Sequence, residues 1–142
     1  MLHGLIHVLM IGILCSVSVF GLIPEPADAA DVRQVRSGTQ LVVGDSNRSY
    51  TVELACIEVP PDQQDAAIVW MRQMVHRGTR VNLRPMGQEQ GILLARVTSV
   101  GRGGQVIDDL GASLLRAGFA IPSISPGAED CAALSSEVKT SP

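Results

Sequence analysis

The stretch VELACIEVPP, Val52 to Pro61, places two carboxylates, Glu53 and Glu58, on either side of a thiol, Cys56. A pair of carboxylates holds a hard cation or does acid–base work, provided that both face one site. Side chains alternate along a regular strand, so Glu53 and Glu58 face opposite sides unless the strand bends between them. Without a bend they are exposed strand carboxylates.

Other residues narrow the chemistry. His76 is the one histidine beyond the apolar N-terminal segment, and no Cys and His spacing has the pattern of a zinc site. Cys56 and Cys131 are able to pair in an oxidising compartment. The favoured reading is that Cys56 is a small core residue while Cys131 sits on a loose tail. The segment GRGG, Gly101 to Gly104, lacks the Lys and Ser or Thr of a phosphate-cradling loop, so a hairpin turn is expected there. Between Val32 and Pro122 ten Arg stand against eight Asp and Glu, an excess of two positive charges in a chain whose formal charge is -3. Arginine suits forked contacts with phosphate, yet scattered surface Arg is the commoner arrangement. Nucleic-acid binding is permitted by this balance and not indicated by it. Trp70 and Phe119 are expected to pack helices, which leaves Tyr50 as the candidate for stacking on a base.

The elements that must position these residues follow from periodicity. Val32–Arg36 and Gln40–Val43 read as short strands broken by a bend at Ser37 and Gly38. After the turn at 44–47, Ser49–Ile57 alternates as a third strand of a meander. Pro60 and Pro61 end it, and Asp62 is expected to cap a helix from Gln63 to about Arg77 that packs through Ala67, Trp70, Met71, Met74 and Val75. Thr79–Pro85 and Ile92–Val100 supply two further strands around the loop MGQEQG. A second helix is expected from about Asp108, with Leu110, Leu114 and Ala117 inward and Gly118 at its end. This order predicts a mostly β fold, a five-stranded barrel of the oligonucleotide and oligosaccharide binding (OB) type capped by two or three helices, over residues 32–122. Residues 123–142, rich in Ser, Pro and Ala, are expected to form a mostly flexible tail with one short run able to be helical.

The same pieces carry a resemblance. VRQVRSGTQLVV, VELACIEVPP, GILLARV and DLGASLLRAGFA are similar, in order and spacing, to segments of the staphylococcal nuclease family, also called thermonuclease-like. In that family, turn and strand-end carboxylates hold Ca²⁺, two Arg grip the scissile phosphate and a Glu orients water. The resemblance puts the turn Asp positions on Ser37 and Thr39 and the strand-end Asp on Glu58, so Thr39 and Glu58 are what remains of a metal site. It puts the two catalytic Arg on Glu53 and Ile92, and the Glu on Pro61. A positioned Arg in phosphoryl transfer contributes on the order of 10³ in rate or more. With one reversed in sign and the other apolar, no catalytic residues are expected, and no cofactor beyond Ca²⁺ at a residual site.

The N-terminal segment Leu5–Ile23 has no Asp, Glu, Lys or Arg, and Ala27-Asp28-Ala29 supplies the small-x-small pattern of a signal peptidase site. Residues 1–29 are therefore expected to be an export signal cleaved near Ala29, giving a secreted or periplasmic protein. The alternative is a retained membrane anchor over residues 5–23, consistent with its length and with the absence of Lys or Arg before it. Membrane contact is expected only through that segment if uncleaved. The functional expectation is an exported, non-catalytic binding or interaction module whose partner, nucleic acid or protein, the residues do not name. The alternatives are a divergent metal-dependent phosphodiesterase using Glu58 with Arg36, Arg84 or Arg96, and a structural envelope protein.

Overall fold

A computed structural model describes residues 29–124 and 128–140. The export signal or anchor expected at the N-terminus lies, but for Ala29, outside the described residues. Strands β1 (Ala30–Val35), β2 (Gln40–Asp45) and β3 (Arg48–Leu54) form the expected antiparallel meander. Strands β5 (Arg80–Glu89) and β6 (Ile92–Val100) form a hairpin; β5 pairs with β1, and β6 pairs in parallel with β3. The order β3-β2-β1-β5-β6 therefore returns to β3 and closes a five-stranded barrel of OB-like form. Val32, Leu41, Val43, Val52, Val81, Ala95 and Val97 fill it from alternate strand positions, all with no exposed surface.

The meander turns on a few local contacts. At the β1–β2 bend, the Ser37 hydroxyl accepts hydrogen bonds from the backbone N–H groups of Thr39 and Gln40, at 3.1 and 3.0 Å. Gly38 lies against helix α1 (Gln64–Met74), where a Cβ would come within 2.6 Å of the Ala67 Cβ. A bulge in β1 between Val32 and Gln34 leaves Arg33 out of the pairing register, and its guanidinium lies over Gly44 in the space a side chain there would take.

Where the strand meets the two prolines, the backbone departs from the simple reading. β3 stops at Leu54, Cys56 has φ +68, and β4 (Ile57–Glu58) leaves the barrel to pair with β8 (Ile121–Pro122). Pro61–Gln63 is a 3₁₀ turn, and α1 begins only at Gln64. Asp62 does not cap it, because it falls inside that turn; the Gln64 amide instead donates to the Val59 carbonyl at 2.8 Å. The helix also ends earlier than expected, at Met74, which lies in its last turn and is 42% exposed rather than packed. Gly78 (φ +87) closes the following loop by donating to the Val32 carbonyl.

Two segments expected as loop or helix are strand. β5 continues through Met86–Glu89, with a bulge between Pro85 and Gly87 that accommodates the missing proline N–H. Its hairpin turns on Gln90 and Gly91, both with positive φ, the geometry of a two-residue type I′ turn. GRGG is the expected turn, but it leads into β7 (Val106–Asp109) on the edge of β6 before helix α2 (Leu110–Arg116) starts. Asp109 ends β7 and caps α2: its Oδ1 accepts from the Ala112 N–H at 2.9 Å, while its Oδ2 takes Arg96 Nε and Nη2 at 3.1 and 2.9 Å. Leu110 and Leu114 are buried as expected, whereas Ala117 falls one residue beyond the helix and is exposed.

The segment expected to be a tail carries a third helix, α3 (Ala128–Thr140). Its Leu134 is 1% exposed within the core, reaching the space that Gly111 of α2 leaves open. Cys131 is bonded to Cys56, which corrects the expectation of two unpaired thiols. Sequence separation hid the pairing: the partner cysteine lies 75 residues away on an element without strong amphipathic patterning. Trp70 and Phe119 pack on one another with ring centroids 6.1 Å apart, as expected of helix-packing residues.

Candidate functional site

At the β5–β6 turn end of the barrel, a small open cleft of about 150 Å³ is lined by Glu53, Glu89, Gln90, Ile92 and Leu94. Three local features assemble it. The parallel pairing of β3 with β6 sets Glu53 beside Leu94, and the hairpin register sets Glu89 across from Ile92. Gln40, opposite Glu53 on β2, donates from Nε2 to Glu53 Oε2 at 3.3 Å and orients that carboxylate. The cleft thus presents two carboxylates and two aliphatic side chains, and no Arg or Lys lines it among the described residues.

The positions singled out by resemblance separate into two groups. Glu53 and Ile92, the positions of the two expected phosphate-gripping arginines, do meet in one cleft. Ser37, Thr39, Glu58 and Pro61 do not line it. Ser37 Oγ is committed to the backbone of its own turn, with the Thr39 hydroxyl 3.4 Å away. Glu58 is exposed on β4, opposite Ile121, because the positive φ at Cys56 turns the chain out of the barrel sheet two residues earlier. The bend required for Glu53 and Glu58 to share a site therefore exists, yet it carries Glu58 into a second sheet.

Glu89, Gln90 and Leu94 are the cleft residues that sequence reasoning missed, and Glu89 is the charged one among them. Composition assigns MGQEQG to a loop, whereas Gln90-Gly91, a dipeptide ending in Gly between two extended stretches, is a hairpin signal that places Glu89 directly across from Ile92. Of the arginines considered as replacements, Arg96 is held by Asp109 with both side chains little exposed, at 12% and 11%. Among the described residues, no group of three or more His, Cys, Asp or Glu side chains is arranged to hold a metal ion. No helix among them is long and apolar enough to cross a membrane. Compared with models of protein families and with curated proteins, the chain matches none.

Proposed function

We propose that this protein is an exported, non-catalytic binding module built on a staphylococcal-nuclease-like barrel. One observation carries the reading: the cleft where a phosphodiester would be gripped presents Glu53, Glu89 and Ile92, with no cationic side chain among the described residues. A scissile phosphate gathers negative charge on its equatorial oxygens in the transition state, which requires donors and positive charge at that point. Two carboxylates raise the energy of such an anion at every stage of approach. For a unit pair about 4 Å apart at an effective dielectric of about 20, the interaction is roughly 4 kcal/mol, repulsive here. The same electrostatics favour a cationic or neutral group against the aliphatic wall of Ile92 and Leu94.

The export half of the reading rests on the Leu5–Ile23 run and the Ala27-Asp28-Ala29 pattern. The Cys56–Cys131 disulfide supports it independently, since such bonds persist in oxidising compartments.

Hydrolysis of denatured fluorescent DNA and RNA in millimolar Ca²⁺, by wild type beside Glu58→Ala, tests the catalytic half. The expected result is no turnover above background by either protein, with folding verified by a cooperative thermal transition. Turnover that disappears in Glu58→Ala would overturn the proposal and reinstate a metal-dependent phosphodiesterase.

A further inference from the structure

The opposite end of the barrel carries the opposite charge. There the α1–β5 loop and the β6–β7 turn flank an open groove of about 610 Å³, lined by His76, Arg77, Arg80, Arg102, Val100 and Ile107 with the glycines and Thr79 between them. Arg77, Arg80 and Arg102 are exposed, and their side chains make no ion pair or hydrogen bond among the described residues. No carboxylate lines the groove among those residues. On β7, Ile107 lines the groove and is 66% exposed, and the preceding Val106 is 60% exposed.

We propose that this end of the barrel is a docking surface for an anionic phospholipid bilayer. Two features together favour a bilayer over other polyanions. Three arginines that form no ion pair among the described residues call for phosphate, and forked guanidinium groups match it. Asp31, across from Arg80 on β1, offsets part of that charge. Ile107 in the groove and Val106 beside it in the strand are exposed aliphatics, of the kind favoured in an acyl boundary. They give no comparable gain on a nucleic acid, which would use stacking rings. No Phe, Tyr or Trp among the described residues lines the groove, and Trp70 and Phe119 are packed on each other. The arginines lie on the α1–β5 loop, the start of β5 and the β6–β7 turn, all at one end of the barrel. The site is distinct from the acidic cleft: β6 runs from Ile92 in the cleft to Val100 in the groove, eight steps at about 3.3 Å, or roughly 26 Å.

The test is a lipid titration of the full chain by vesicle sedimentation. It uses phosphatidylcholine alone and phosphatidylcholine mixed with phosphatidylglycerol, with R77Q/R80Q/R102Q as comparison. Any contribution of the Leu5–Ile23 run is common to both proteins. Each Arg near an anionic surface contributes about a fivefold gain in partitioning, so the triple variant is expected to bind mixed vesicles roughly a hundredfold more weakly and neutral vesicles unchanged. Added NaCl is expected to shrink the difference as the Debye length falls from about 10 Å at 0.1 M to about 3 Å at 1 M. A second variant, I107W, reads the contact locally: after subtraction of the Trp70 emission of wild type under the same conditions, its emission is expected to shift to the blue on mixed vesicles and not on neutral ones. Equal partitioning of wild type and the triple variant, or unshifted I107W emission at saturating mixed lipid, would overturn the proposal. So would Arg-dependent binding of a single-stranded oligonucleotide without vesicle binding, which would assign the groove to nucleic acid.

Discussion

Glu53 and Ile92 show how far two side chains set what a cleft accepts. The barrel brings the two positions together through the β3–β6 pairing, and neither side chain offers positive charge to an anion. Replacing both with arginine, E53R/I92R, is therefore expected to tighten binding of a single-stranded oligonucleotide at least about tenfold, measured by fluorescence anisotropy. The lost Gln40–Glu53 hydrogen bond is long and only partly buried, so the variant is expected to keep its fold. Unchanged affinity would mean that this cleft is not where ligands dock. Glu58 gives the complementary lesson: its residue type suits a cation, but its strand pairs with β8 outside the barrel sheet.

Element packing depends on a few contacts that admit little change. Gly38 has no positive φ to require glycine; what requires it is the Ala67 Cβ of α1, 2.6 Å from where its own Cβ would stand. Gly38→Ala is expected to cost about 1–3 kcal/mol by overpacking, measured by urea denaturation. Adding Ala67→Gly reopens the space, so the double variant is expected to lose less than the sum of the two singles. Helix α3 is held differently, by Leu134 in the core and by the Cys56–Cys131 bond. A cross-link closing a loop with a sequence separation of 75 is worth about 4 kcal/mol through the unfolded chain. Cys131→Ala is expected to lose that amount in urea. Reductant should lower wild type to the same stability and leave Cys131→Ala unmoved.

As a whole the molecule is a closed barrel with carboxylates at one end and arginines at the other. Closure depends on one parallel contact, Val52–Leu54 against Leu93–Ala95, extended by the Ala55 N–H to the Ala95 carbonyl at 2.9 Å. These strands lie in the middle of the core, so breaking that contact exposes residues from both halves of the barrel at once. In native-state hydrogen exchange, the amides of Leu54, Ala55 and Ala95 are expected to open only with global unfolding. Those of exposed Val106 and Ile107 on edge strand β7 are expected to exchange by smaller openings. Equal protection in both groups would show that β7 is not an independently opening edge.

Local signals are legible in the sequence because they act over a few residues. Alternation in Ser49–Ile57 marks a strand, paired prolines mark its end, and the apolar stripe of Ala67 and Met71 marks a buried helix face; together they predict the barrel and its helical caps. Boundaries are less legible where neighbours compete: Asp62 has the residue type of a cap, yet the two prolines ahead of it impose a 3₁₀ turn. Features that join distant residues were decided by tertiary structure alone. The Cys56–Cys131 bond, the meeting of Glu53 with Glu89, the departure of Glu58, and the gathering of Arg77, Arg80 and Arg102 all depend on strand register and loop position in the closed barrel. Side-chain alternation determines which residues share a face of one strand. Only the pairing of strands determines which faces of different strands meet.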